Sequence, residues 1–328
     1  MQDKLIKQKM LEVRNLKTHF FTRHGRVKAA DGVSFGLAAG ETLGLVGESG
    51  CGKSITVLSI LRLVPPPGRI LEGEVMLDGE NLLSKSEAEM RKIRGAKVSI
   101  VLQDPLTSLN PVFTIGNQIG EAVRIHQGLR GKSILKKVVE SLKLVRMPDP
   151  EMRASYYPHQ MSGGMRQRVS GAIALSCQPS LLIADEPTTS LDVTIQAQYL
   201  DLLEQIQDQS GISIIFVTHD FGIVARMCDH VAVMYAGKIV EIGDVRGIFN
   251  NPSHPYTIAL LKCLPKADTV SKLVSIEGDV PDLSRLPPGC SFAPRCAQRK
   301  PICDERYPEE VLLDGQHKVS CWLRGPQL

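Results

Sequence analysis

Short β-type runs, mostly apolar, recur along roughly the first three-quarters of the chain, at 42–46, 75–77, 98–102, 181–184, 212–217 and 231–235. Several of these runs are continuous apolar stretches, as expected of strands buried on both faces of a mainly parallel sheet. Helical patterns lie between them. Asp192 is placed to cap a helix whose Ile195, Tyr199, Leu202 and Ile206 share one face. From about 104 to 180 no strand-like run occurs. There Ile115, Ile119 and Val123 form one apolar stripe, and Leu135, Val138, Val139 and Leu142 form a second, so this stretch reads as an all-helical insert in an α/β domain.

The periodic pattern weakens after Gly243, where prolines become frequent and Cys290, Cys296, Cys303 and Cys321 cluster. A boundary is expected near residue 245, giving one domain over 1–245 and a small loop-rich extension over 246–328. No repeat that would suggest a solenoid is visible.

The chain has 328 residues, 43% apolar and 23% charged, which excludes collagen-like and largely disordered classes. Its 39 basic and 35 acidic residues leave a net charge of only +4, too little and too evenly spread for a nucleic-acid binder. The first residues, MQDKLIKQKMLEVRNLK, carry charges throughout and do not read as a signal peptide. No apolar run approaches the length of a membrane span. The expected location is therefore the cytosol, unless a partner holds the chain at a membrane. In that setting eight cysteines read as thiols or metal ligands rather than disulfides.

Chemistry enters at Gly47, Glu48, Ser49, Gly50, Cys51, Gly52, Lys53 and Ser54, which match GxxxxGK[ST] between a strand-like run and an apolar run that begins at Ile55. Glycines let successive N–H groups turn toward phosphate oxygens, and the helix that follows adds positive potential. Lys53 is the candidate for the β- and γ-phosphates and Ser54 for Mg²⁺. The side chain of Cys51 is expected to face solvent. A second apolar run ends in Asp185 and Glu186. Asp185 is a candidate for the Mg²⁺ shell, and Glu186 for general base or water-positioner.

Between these motifs, Met161-Ser162-Gly163-Gly164-Met165-Arg166-Gln167-Arg168 resembles the LSGGQ signature of the ATP-binding-cassette (ABC) ATPases. Gln103, Ser190-Leu191-Asp192 and His219 complete that family's ordered set as its Q-loop, D-loop and switch histidine. The resemblance implies a P-loop ABC ATPase fold: a RecA-like mixed sheet core, a β-subdomain and a helical subdomain at about 104–180. It also implies a head-to-tail dimer that closes each ATP between one P-loop and the partner's signature. On that pattern Ser162, Gly163 and Gly164 donate to the γ-phosphate held by the other subunit. Gln103 and His219 sense the γ-phosphate and attacking water, and Gln103 joins Ser54 and Asp185 around Mg²⁺. Phe20 of the Phe20–Phe21 pair stacks on adenine, although a core aromatic on a first strand is an equal reading. Met161 and Met165 depart from the usual leucine and glutamine, while the serine and both glycines are intact.

The SGGMRQR variant, Ala184-Asp185-Glu186-Pro187-Thr188-Thr189 and Asp192-Val193-Thr194-Ile195-Gln196-Ala197-Gln198 are similar to the ATPases of oligopeptide and dipeptide importers. Ile248-Phe249, Pro252 and His254-Pro255-Tyr256-Thr257 are similar to the segment after the cassette in peptide and nickel importers. The continuation Leu286-Pro287-Pro288-Gly289-Cys290-Ser291-Phe292-Ala293-Pro294-Arg295-Cys296 looks like the peptide-importer extension. This resemblance implies a second, F-type ATPase subunit, two permease subunits, an extracytoplasmic peptide-binding protein, and a peripheral place on the cytoplasmic face of the membrane. Importers of nickel or another small solute, and soluble ABC ATPases acting on ribosomes or DNA, are the competing readings.

The spacing Cys290-x5-Cys296-x6-Cys303-x17-Cys321 admits a [4Fe–4S] cluster, Zn²⁺, or unligated thiols or disulfides. The peptide-importer resemblance implies the cluster, in a structural role. Cys177, Cys228 and Cys263 read as small buried apolar residues.

Overall fold

The computed structural model describes residues 9–104, 108–189, 191–264, 275–315 and 317–325. The chain forms two compact units, one built from Gln8–Leu37, Thr42–Leu83 and Val217–Leu328, the other from Ala38–Glu41 and Ser84–Phe216.

In the first of these units, β1 (Lys9–Thr22), β2 (Gly25–Ala38), β4 (Gly68–Leu77) and β5 (Glu80–Asn81) make a sheet of order β2-β1-β4-β5. β1 and β4 run antiparallel, with Leu11, Val13 and Leu16 of β1 buried. Their other face is charged: Lys17 meets Glu72 at 2.7 Å and Arg14 meets Glu74 at 3.2 Å, cross-strand pairs that favour this register. The mixture of buried apolar and solvated charged positions explains why β1 and β2 do not stand out as apolar runs.

The same unit carries the phosphate-loop strand. β3 (Thr42–Val46) is buried at every residue and pairs in parallel with β9 (His230–Tyr235). β10 (Lys238–Asp244), β11 (Val311–Asp314) and β12 (His317–Val319) extend this sheet in the order β11-β12-β10-β9-β3. The chain beyond residue 245 thus supplies two strands to the sheet that carries the phosphate loop. It also shares a core with it: Val46, Phe221, Val231, Val233 and Tyr235 pack with Ile248, Tyr256 and Phe292. The rings of Tyr235, Tyr256 and Phe292 lie 4.5–5.3 Å apart. Each such buried ring contributes about 2–3 kcal/mol.

A buried carboxylate ties the extension down. Glu241 on β10 accepts hydrogen bonds from the Ser253 N–H (2.7 Å), the His254 N–H (2.9 Å) and His317 Nε2 (2.7 Å). The proline-rich segment has little hydrophobic pattern because it leans on a core built by the strands.

In the other unit, β6 (Val98–Val101) and β7 (Leu181–Asp185) pair in parallel, in the order β8-β7-β6 with β8 (Ser213–Thr218). Among the described residues from 108 to 180 there is no strand, and the helices Ile115–Gln127, Lys132–Leu144 and Gly163–Leu175 fill the stretch. Ile115, Ile119 and Val123 are buried as their spacing predicts. The second stripe is buried at Val138 and Leu142 but not at Leu135, which lies in the first turn of its helix and is 59% exposed. Asp192 caps the helix Val193–Ser210 by accepting from the Ile195 N–H at 2.9 Å. Among the described residues no helix is long and apolar enough to cross a membrane.

Candidate functional site

The loop after β3 is shaped for a polyanion. Gly47, Gly50 and Gly52 all have positive φ, at 152°, 77° and 106°. At Gly47 and Gly52 glycine is obligatory on space as well, because a Cβ would lie 2.2 Å from Met234 O and 1.9 Å from Ala29 O. Gly52 caps the helix Lys53–Ile60, and open space surrounds Gly50. Lys53, largely buried, curls back so that Nζ donates to Gly47 O (2.7 Å) and Glu48 O (3.0 Å). Backbone N–H groups, a helix N-terminus and a lysine amine together can cradle phosphates. Ser54 and Ile55 follow in the helix, both half-buried, and Ser49 is exposed.

Cys51 departs from expectation. The loop turns its side chain inward, to full burial, with Sγ 3.8 Å from Lys53 Nζ. Burial raises its thiol pKa, which makes it an inert packing residue under the loop.

In the other unit, β7 delivers Asp185, buried, and then Glu186, whose φ is +45°. A non-glycine residue in the left-handed region is costly and is kept where the turn is needed. The turn places Glu186 Oε2 to accept from Gln103 Nε2 at 2.9 Å and from Thr189 Oγ1 at 3.1 Å. Two sequence candidates 83 residues apart, Gln103 and Glu186, therefore meet directly.

Ser162 caps the helix Gly163–Leu175 by accepting from the Met165 N–H at 3.4 Å. Ser162 and Gly163 are exposed, and nothing lies within 4 Å of a Cβ at Gly163, whereas one at Gly164 would meet Ile195 Cγ2 at 2.8 Å. The signature serine and first glycine are thus presented to solvent at a helix N-terminus, as an intersubunit phosphate contact requires. Met161, in place of the usual leucine, is buried. Ser190, the first residue of the D-loop triplet, lies outside the described residues.

In the P-loop unit, His219 is exposed after β8, and Asp220 caps the next helix by accepting from the Gly222 N–H at 2.7 Å. Phe20 is half-buried against Gly68, where a Cβ would come within 2.8 Å of its ring. Phe21 faces solvent, with the guanidinium groups of Arg26 and Arg69 5.6 and 5.8 Å from its ring centre.

Cys290, Cys296, Cys303 and Cys321 line one narrow cavity of about 20 Å³ together with His254, Phe292 and Trp322. All four are unbridged. Burial, and after it the neighbouring thiols, pushes the Cys290 thiol up to about 11. Burial pushes the His254 imidazole down to about 3, and its Nδ1 accepts the Tyr256 N–H at 3.0 Å. The spacing thus brings all four thiols to one place, as a thiolate-bound metal needs. Among the described residues, however, no three His, Cys, Asp or Glu side chains are set to hold one ion as they stand.

Two residues at the phosphate loop were not legible as site residues. Arg295 forms a two-pronged ion pair with Glu48 (2.7 and 3.0 Å), and the Glu48 N–H donates to the Tyr256 hydroxyl at 2.9 Å. Glu48 and Arg295 are 247 residues apart, and no local motif signals such a pairing.

Comparison with known proteins agrees with this geometry. Residues 30–189 match the ABC transporter family, and residues 240–303 match the C-terminal region of oligopeptide/dipeptide transporters. The chain is 50% identical to the dipeptide transport ATP-binding protein DppD of Bacillus subtilis, over 97% of its own length and 95% of that protein's. It is equally, 50%, identical to a Sinorhizobium fredii protein named "Probable peptide ABC transporter ATP-binding protein y4tR", over 95% and 94% of the two chains. Among solved structures, the dimeric post-hydrolysis ATP-binding cassette MJ0796, bound to ADP and phosphate, superposes with a TM-score of 0.65 at 27% identity, covering 73% of this chain and 100% of that one. The cassette cbiO1 of Clostridium perfringens, part of the cbiONQ transporter complex, gives 0.63 at 28% identity, over 74% and 91%. With 50% identity over nearly the whole chain, and with residues 30–189 and 240–303 matching the cassette and the peptide-transporter C-terminal region, this chain belongs to the ABC transporter ATP-binding family, in its oligopeptide/dipeptide branch.

Proposed function

We propose that the chain is the ATP-hydrolysing motor subunit of a membrane importer of dipeptides and oligopeptides. The observation that carries the peptide assignment is the match of residues 240–303 to the oligopeptide/dipeptide C-terminal region, because the cassette alone is common to transporters of many solutes.

Each motif residue takes the role its chemistry suits. The loop 47–54 with Lys53 binds the phosphates, Ile55 follows in the supporting helix, and Phe20 stacks on adenine. Ser54, Asp185 and Gln103 are the residues that would ligate Mg²⁺, which would neutralise phosphate charge. Glu186 orients and deprotonates the attacking water, and His219 senses the γ-phosphate. Ser162, Gly163 and Gly164 close on ATP held by a second, F-type ATPase subunit. That closure is passed to two permease subunits, which receive peptide from an extracytoplasmic binding protein. In the helical region a groove lined by Phe113, Gly116, Asn117, Gly120, Arg124 and Ile134, with Val112 exposed beside it, supports a permease contact. The chain then sits peripherally on the cytoplasmic face of the membrane.

The four clustered cysteines would serve, after a small rearrangement of their side chains, as the thiolates for a [4Fe–4S] cluster, which would cross-link the extension structurally. Zinc would use the same thiolates. Iron, acid-labile sulfide and zinc measured on anaerobically purified protein separate the two. Iron and sulfide in equal amounts support the cluster, and zinc alone overturns it.

Cells lacking the chain should lose uptake of labelled dipeptides and oligopeptides, and regain it with the wild-type chain but not with Glu186→Gln. Normal peptide uptake with loss of nickel uptake would overturn the peptide assignment.

A further inference from the structure

An acidic side chain inside a phosphate-binding loop is an electrostatic anomaly. Glu48 is the second residue of the loop 47–54, where its carboxylate repels the polyanion the loop must hold. The structure supplies a remedy from the far end of the chain. Arg295 Nη1 donates to Glu48 Oε2 at 2.7 Å and Nη2 to Oε1 at 3.0 Å, the two-pronged geometry that is strongest for this pair. The arginine side chain is 5% exposed and fixed on its other edges: Nε donates to Glu277 O (3.0 Å) and Nη2 to Ile276 O (3.3 Å). Nη1 also reaches the Tyr235 hydroxyl at 3.4 Å. A side chain held this way cannot swing out to become a free phosphate ligand.

The position of Arg295 is set by the cysteine-lined turn. It ends the short 3₁₀ turn Ala293–Arg295, closed by Ala293 N–H donating to Cys290 O (3.0 Å) and Cys296 N–H donating to Ala293 O (3.2 Å). Tyr256, also beyond the cassette, accepts the Glu48 N–H. The extension therefore grips one loop residue through both its charge and its backbone.

We infer that Arg295 is a positioning residue that neutralises Glu48 and so sets the phosphate affinity of the loop, making the C-terminal extension a nucleotide-affinity device. The inference rests on the reading of residues 47–54 as the ATP site. It has a sign that a merely structural ion pair lacks. Removing the cation leaves a bare carboxylate beside the phosphates and weakens binding. Removing the carboxylate leaves an extra cation and strengthens it. Removing both cancels.

The test is equilibrium binding of MgATP and MgADP to the full chain and its variants. Arg295→Met should bind MgATP about tenfold more weakly, equivalent to about 1.4 kcal/mol, with a smaller loss for MgADP, which carries one phosphate fewer. Arg295→Lys, which keeps the charge but loses the fork, should lose less. Glu48→Gln should bind several-fold more tightly, and Glu48→Gln combined with Arg295→Met should return to within about twofold of wild type. If Arg295→Met fails to fold, Glu48→Gln alone decides. Weaker binding by Glu48→Gln, wild-type binding by Arg295→Met, or no recovery in the double variant would overturn the inference. A wild-type chain that binds no nucleotide would instead overturn the ATP reading on which it stands.

Discussion

Glu186 has the most demanding backbone of the acid pair, with φ at +45° just after a fully buried strand. That turn brings its carboxylate to Gln103 and Thr189, and leaves Asp185 buried beside it. Glu186→Gln keeps the shape and can still hold Gln103, but it cannot take a proton. Nucleotide binding should survive in this variant, while turnover falls by about 10²–10⁴, the scale of losing a positioned base. Phosphate release measured beside equilibrium binding checks this, and near-normal turnover would remove Glu186 from the role. These residues were legible because phosphate chemistry restricts them to a few types at fixed spacing. The inward turn of Cys51 was not legible, since it depends on the space under the loop. The partnership of Glu48 and Arg295 was hidden for a related reason: it is created by the fold of the extension, not by any local pattern.

At the scale of elements, the β1–β2 region depends on a neutral imidazole. Arg26 Nε donates to His19 Nδ1 at 2.6 Å, and His19 Nε2 lies 3.2 Å from Asp31 Oδ1. Burial, with Arg26 adding to it, lowers the His19 pKa below its ordinary value. The folded state thus binds fewer protons than the unfolded one. Its stability from this group is fully present above about pH 6.5 and is lost as pH falls below that, through the folded value. Thermal melts between neutral and mildly acidic pH should show wild type losing more stability than His19→Gln; parallel curves would contradict this. A second element-scale prediction concerns Glu241, which satisfies two backbone N–H groups and His317 in the interior. Glu241→Leu leaves those donors unpaired and should cost at least about 3 kcal/mol. It should also open the segment near 251–255 to proteolysis; an unchanged melt and digestion pattern would contradict the anchor. The parallel strands were readable because both their faces are apolar. β1 and β2 were less so, because solvated charges such as Arg14 and Lys17 on β1 interrupt the pattern, and β10 because the buried Glu241 interrupts its apolar run.

At the scale of the molecule, the cassette and the extension answer different questions. The cassette motifs account for ATP chemistry, which solved cassettes of the same fold support. Residues 240–303 narrow the family to its oligopeptide/dipeptide branch. The weak sequence pattern of that region concealed how closely it is joined to the phosphate-loop sheet, through two added strands, a cluster of three aromatic rings and the Arg295 fork. The exposed Ser162–Gly163 cap and the apolar surface at Val112 and Phe113 both need other chains to cover them if the chain works as a transport motor. Affinity purification of the tagged chain from gently solubilised membranes, under anaerobic conditions and with the co-purifying proteins identified by mass spectrometry, tests that claim most directly. Recovery of two polytopic permeases and a second ATPase subunit is the predicted result. Recovery of ribosomal or DNA-repair proteins without any permease would contradict it.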